Sequence, residues 1–232
     1  MDFHDLRATV NDQVGTITLN RPAKKNALTT RLLTEITGCL SGWANDSAVR
    51  AVVFHGEGAC FCAGFDRAEL LSGEPGVLRP LYEASKVYHR AVWHFPKPTI
   101  AAVAGYALGG GFDLAALCDL RLAAEGTMFG HPEVKFGAPP LATPLRWIVG
   151  DGWARDLCLR GRRIDAQTAL RIGLVTEVVE PGALLDRAHL VAQEILEAPD
   201  LSLAPTKAFF LAADFEAAFV REHDAVFEKM LG

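Results

Sequence analysis

The chain has 232 residues, of which 50% are hydrophobic and 22% charged, and its formal net charge is −5. That balance suits a globular protein with a sizeable core, and it excludes an overall positive field that would draw in nucleic acid or an anionic membrane surface. The five cysteines, Cys39, Cys60, Cys62, Cys118 and Cys158, are odd in number and irregularly spaced, so a reducing cytoplasm is expected rather than a disulfide framework.

The opening MDFHDLRATV lacks the apolar stretch of a secretory signal. RATVND and GTITLN alternate β-branched residues around a turn at Asn11-Asp12-Gln13, which predicts two strands. Thr29 or Thr30 is placed to cap a helix over RLLTEITGCLSGWAND. AVRAVVFHG is a short continuous apolar run, as expected of a strand buried on both faces. A glycine-rich turn, GEGACFCAGFD, then opens a short helix in which Asp66 and Glu69 read as a capping box. A longer helix over LRPLYEASKVYHRAVWHF follows a loop between Gly73 and Gly76.

TIAAVAGYAL is predicted as one buried strand that runs through a triple glycine into the helix of GGGFDLAALCD. Thr99 to Cys118 approaches the length of a membrane span, but Asp113 and four glycines within it argue against a span. LRLAAEGTMFG reads as strand and loop, and the chain from Leu145 onward is mostly helical, with VTEVVE as its only strand. Strands alternating with helices predict an α/β core. No linker or repeat divides the chain, so residues 1–232 form one expected domain, with the core to about residue 185 and a helical region from about 186.

Two stretches, AVVFHGEGACFCAGFDRAEL and TIAAVAGYALGGGFDLAAL, share a construction: a buried strand enters a glycine turn that opens directly into a helix. The first N–H groups of a helix have no internal acceptor, and glycine lets a ligand approach them closely. Two such groups converging on one oxygen would form an oxyanion hole. Neither stretch matches a dinucleotide or phosphate-loop pattern. Cys60 and Cys62 lack a second Cys/His pair at ligand spacing, so no metal is expected.

With LNRPAKKNAL, FCAGFD, PKPTIAAVAGYALGGGFDLAALCDLRLA, MFGHPEVKFG and GRRIDAQTALRIGLVTEVV in this order, the chain resembles the enoyl-CoA hydratase/isomerase (crotonase) superfamily nearly end to end. The resemblance implies a ClpP-like spiral of ββα units whose helical carboxyl-terminal region packs trimers, often paired as hexamers. It implies an acyl-CoA substrate and no separate cofactor. Phe65 and Gly110 take the oxyanion positions, Glu133 and Asp113 the positions of the two catalytic acids, and Lys24, Ala63 and Lys229 are candidates to meet coenzyme A.

Reversible hydration of a 2-enoyl-CoA is the leading expectation. An enoyl- or dienoyl-CoA isomerase using Asp113 and Glu133 is the alternative, and a non-catalytic acyl-CoA binding protein is the rival of another class. Asp113 stands where many hydratases of the family carry glutamate, which draws the carboxylate back by about 1.5 Å. The further aspartate of the dienoyl isomerases is missing, since its spacing falls near Leu141. The loop from Gly137 to Pro144 is shorter than in typical hydratases and rich in proline, which predicts a remodelled acyl pocket. His131 is expected to pack or to stand behind the site, because its place in the family is not an acid/base one.

Overall fold

A computed structural model describes the backbone of residues 3–211 and 214–231, and the side chains of these except 214–216, 225, 226 and 228–231. Among the described residues, nine strands fall into two sheets. β1 (Leu6–Asn11) and β2 (Val14–Leu19) form the expected hairpin, and α1 (Thr30–Ala44) begins where the Thr29 hydroxyl accepts the Leu32 N–H at 3.2 Å. α1 buries Leu32, Leu33, Ile36, Cys39 and Leu40, the spacing of a single apolar stripe.

β3 (Ala51–Gly56) shows why a continuous apolar run suits this position. Val52 and Phe54 enter one hydrophobic cluster while Ala51 and Val53 enter a second cluster on the opposite face. α2 (Arg67–Leu70) and α3 (Pro75–Trp93) follow. The stretch expected as one strand divides into β4 (Thr99–Val103) and β5 (Tyr106–Leu108), which join different sheets. The break is Gly105, whose φ of +64° re-aims the chain and whose missing side chain admits the Ala59 carbonyl.

After α4 (Gly110–Leu117), β6 (Leu120–Ala124) and β7 (Met128–Gly130) repeat that division. The larger sheet has the order β1-β2-β3-β4-β6-β9, parallel throughout except for the β1–β2 pair, and the smaller has the order β5-β7-β8. Cys62 forms an isolated parallel bridge to Ala107. Three successive units, beginning at β3, β4 and β6, therefore each contribute first to the larger sheet and then to the smaller one. This is the spiral of ββα units that the resemblance implies.

α5 (Thr143–Arg160) is kinked at Gly150, and β8 (Arg163–Asp165) is a strand that the sequence reading did not anticipate. α6 (Ala166–Arg171) and β9 (Glu177–Val179) complete the sheets. α7 (Leu184–Leu196) covers the second face of the larger sheet with Leu184, Ala188, Val191, Ala192 and Leu196. The expected boundary near residue 185 thus falls inside a helix that is part of the sheet's packing.

α8 (Asp200–Phe209) is anchored by Lys207, whose buried ammonium donates to Asp119 Oδ2 at 2.7 Å and to the Lys97 carbonyl at 2.8 Å. α9 (Asp214–Leu231) returns over α3 and α5. The amphipathic pattern of Phe209, Phe210, Phe215, Phe219, Val226 and Phe227 predicts a face for a neighbouring subunit. Of these, Phe209 and Phe210 are exposed, but Phe219 and Phe227 are fully buried in this chain's own core. The side chains of Phe215 and Val226 lie outside the described residues. Among the described residues, no helix is long and apolar enough to cross a membrane.

Candidate active site

The two glycine turns interlock. A Cβ on Gly64 would lie 2.8 Å from the Leu108 carbonyl oxygen, and one on Gly111 would lie 2.3 Å from the Cys62 carbonyl oxygen. Only hydrogen fits at either position, so the Cys62–Phe65 turn and the start of α4 meet backbone to backbone. Gly110 is the first residue of α4, where its N–H has no intrahelical acceptor. The Leu28 N–H donates to the Gly64 carbonyl and the Asp66 N–H to the Leu28 carbonyl. The Phe65 N–H between them has no backbone acceptor among the described bonds.

Neighbouring segments hold the first turn in place. Asn26 is fully buried, donates to the carbonyls of Glu57 and Cys60, and accepts the Arg21 N–H. Asp66 caps α2 by accepting the Ala68 N–H and takes two hydrogen bonds from the Arg21 guanidinium. The expected capping box is only half present. Glu69 turns away from Asp66 and accepts from the N–H and hydroxyl of Thr30, because the start of α1 offers it two unpaired donors.

A cavity of about 430 Å³ opens at these turns. Ala63, Gly64, Phe65, Gly109 and Gly110 line it, together with Asp113 and Glu133, so the two expected acids and both expected oxyanion residues share one space. The remaining wall is largely apolar and includes Leu70, Leu71, Pro139, Leu141 and Phe227. The exposed Arg67 also borders the cavity, a cation that sequence reasoning passed over although it lies two residues beyond Phe65.

Asp113 projects from the first turn of α4, and Glu133 from a 3-10 turn over Pro132–Phe136 that opens with proline after β7. Burial, with the Glu133 and Glu222 charges adding to it, pushes the Asp113 carboxyl up to about 8, against an attraction to His131. This environment favours the neutral acid form of Asp113.

His131 is fully buried behind the cavity wall and joins the two acids. Its Nδ1 lies 2.7 Å from Glu133 Oε1 and its Nε2 lies 3.7 Å from Asp113 Oδ1. Burial favours a neutral imidazole here, but the charge and hydrogen bond of Glu133, with Asp113 beyond, raise its pKa above the ordinary value. The ring stacks on Phe112 at 4.7 Å between centroids.

α9 closes the far side of the cavity. Glu222 accepts the N–H groups of Ala142 and Thr143, each at 3.0 Å, and the Thr143 hydroxyl at 2.6 Å. It thereby caps α5 from a distant element and pins the proline-rich loop whose Ala138, Pro139 and Leu141 line the cavity. His223 and Phe227 also line it, with His89 of α3. The Tyr82 hydroxyl donates to Asp224 at 2.6 Å and ties α9 to α3. These α9 residues gave no signal in the sequence beyond an amphipathic pattern.

The expected coenzyme A residues are placed less tightly. Ala63 lines the cavity and its N–H donates to the Lys25 carbonyl at 3.0 Å, which brings the Lys24–Lys25 segment beside the turn. Lys24 is exposed in the 3-10 turn Pro22–Lys24 and does not line the cavity. The side chain of Lys229 lies outside the described residues.

The chain matches the enoyl-CoA hydratase/isomerase family model over residues 9–228. It is 34% identical over 238 residues to a short-chain-enoyl-CoA hydratase of Clostridium acetobutylicum, covering 97% of this chain and 89% of the relative. It is also 34% identical over 232 residues to a crotonyl-CoA hydratase of Syntrophomonas wolfei, with the same coverage. Among solved structures, an enoyl-CoA hydratase from Bacillus anthracis superposes with a TM-score of 0.87 at 30% identity, over 96% of this chain and 89% of that one.

Proposed function

This chain belongs to the enoyl-CoA hydratase/isomerase family, and on that ground we propose that it hydrates 2-enoyl-CoA thioesters reversibly. The observation that carries the reading is the convergence of two backbone turns and two carboxyl groups on one cavity. The thioester oxygen accepts from the Phe65 and Gly110 N–H groups, which stabilise the enolate formed as water adds to C3. Each such donor contributes about 3–4 kcal/mol to the transition state. Glu133 takes a proton from the attacking water and returns it to C2, so the enzyme ends as it began. Asp113, held neutral, hydrogen-bonds the water and orients it.

Acyl-CoA itself supplies the activated thioester, and the reading requires no further cofactor. Lys24 is proposed to pair with the phosphates of coenzyme A, and Arg67 at the cavity border is a second cation for them. Any hydrogen bond that Ala63 makes with the nucleotide runs through its carbonyl, because its N–H is already bonded. Exposed Leu201, Phe209 and Phe210 on and beside α8 support assembly with further copies as a homotrimer or a pair of trimers. Five unpaired, buried cysteines support a reducing cytoplasmic setting.

Ultraviolet absorbance of the conjugated thioester tests the reading. Loss of absorbance with 2-enoyl-CoA esters establishes hydration. Gain of absorbance with 3-enoyl-CoA esters instead establishes isomerisation, which a neutral Asp113 facing Glu133 across one cavity also favours. Binding without turnover over a broad acyl panel overturns both. Glu133→Gln is expected to lower hydration turnover by about 10³-fold. Retention within a factor of about two removes Glu133 from its assigned role.

A further inference from the structure

We infer that His131 is a positioning residue that joins Asp113 and Glu133 into one proton-sharing unit. The inference deepens the hydratase reading, and its geometric basis lies behind the cavity. Both carboxyl groups line the cavity whereas His131 does not, and its side chain is 0% exposed. Pro132 separates His131 from Glu133 and opens the 3-10 turn that carries Glu133. Stacking on Phe112, the neighbour of Asp113 in α4, sets the plane of the imidazole.

The donor and acceptor inventory then determines what the ring can do. Glu133 Oε1 as a carboxylate oxygen only accepts, so His131 Nδ1 carries a hydrogen and donates to it at 2.7 Å. Nε2 is left facing Asp113 Oδ1 at 3.7 Å, and neither atom has a hydrogen-bond partner. Two arrangements of one proton are compatible with this geometry. In the first, Asp113 is a neutral acid whose O–H points at a bare Nε2. In the second, that proton has moved to Nε2, leaving an Asp113 carboxylate and an imidazolium between two anions. The O–H bond breaks, the N–H bond forms and the total charge is unchanged.

Glu133 remains a carboxylate in both arrangements, so the unit keeps its base ready while one proton is held on the Asp113 side. A contraction of the 3.7 Å gap to hydrogen-bond length is the only movement required. The ionisable groups around the unit do not compete for the proton. Cys158 of α5 and Cys62 of the first glycine turn are thiols pushed by burial up to about 12. Burial raises the Tyr88 hydroxyl of α3 well above its ordinary value, and Glu222 of α9 is engaged in capping α5. Lys135 follows on the same 3-10 turn and is exposed.

The test compares His131→Gln and His131→Leu. A glutamine amide can still donate to Glu133 but cannot accept the Asp113 proton. Both variants are expected to keep KM within about threefold and to lower kcat by about 10-fold or more, with the apparent pKa values of the kcat profile displaced. A glutamine variant that restores both kcat and the pH profile overturns proton sharing and leaves only orientation by a hydrogen bond.

A second measurement does not depend on turnover. The 15N shifts of the His131 ring are followed against pH in the wild-type chain and in Asp113→Asn. The inference expects the His131 midpoint to fall by about 0.5 pH units or more when Asp113 is replaced. An unchanged midpoint overturns it. Wild-type silence on every enoyl-CoA with a displaced midpoint would instead count against the hydratase reading alone.

Discussion

Gly111→Ala probes the contact that sets the spacing of the two oxyanion donors. The added methyl carbon would lie 2.3 Å from the Cys62 carbonyl oxygen and 2.7 Å from Cys62 Cβ. Ordinary contact begins about 1 Å further out, so the first turn and the start of α4 must separate by a distance of that order. Both obstructing groups are fixed by the fold, and no flexible side-chain tip can absorb the shift. Because the useful range of an oxyanion hydrogen bond is only a few tenths of an ångström, one donor is effectively withdrawn.

The expected loss in kcat/KM for a 2-enoyl-CoA is about 10²-fold, equivalent to about 3 kcal/mol. Overpacking lowers stability by about 1–3 kcal/mol, which for a chain of this size shifts the melting temperature by several degrees without unfolding it at 25 °C. Gly38→Ala is the control, since nothing lies within 4 Å of its added carbon on α1. It should be neutral or slightly stabilising. A folded Gly111→Ala variant with kcat/KM within threefold of wild type would refute the reasoning that the glycine contact sets the hole.

Three further outcomes follow from the charges and the loop. The folded Asp113 carboxyl is raised to about 8, so stability falls as pH rises from the ordinary carboxylate range through that value. Asp113→Asn should therefore lose less stability than wild type between pH 6 and pH 9 in urea melts, and parallel curves would contradict this. His89 and His223 are lowered, chiefly by burial, to about 3 and about 4. Stability is then lost as pH falls below the ordinary histidine value, by about 2 kcal/mol per histidine at pH 5, and His89→Phe should flatten the acid side of the thermal-melt profile. Glu222→Ala removes the acceptor for three donors at the start of α5. A loss of about 2–4 kcal/mol and a raised KM are expected, and unchanged KM would mean that the proline-rich loop holds its shape without α9.

Much of the core was readable because its signals are local. The alternating faces of β3, the Thr29 cap and the glycine turns each follow from a few adjacent residues. The division of β4 from β5 was missed because the apolar pattern continues across Gly105, and only the close Ala59 carbonyl reveals the need for a bend. β8 was missed because its three residues gain their strand character by pairing with β7. His131 was expected to pack or to stand behind the site, and that it touches both acids was missed for a related reason. Its position between two acids depends on β7 and α4 meeting, and no spacing in the sequence expresses that meeting. The buried faces of Phe219 and Phe227 were assigned to a neighbour because amphipathicity reports that a face is covered, but not by which part of the protein.

The position of α9 gives the site an order of construction. Residues 63 to 133 supply the turns and both acids, while Glu222, His223 and Phe227 complete the wall some ninety residues later. On a growing polypeptide, the polar machinery is therefore made well before the surface that excludes water from it. Translation that stalls after α7 would leave β1 to β9 made but the acyl chamber open on one side. The chamber wall is consequently the last part of the site to be synthesised, complete only once Phe227 has been added.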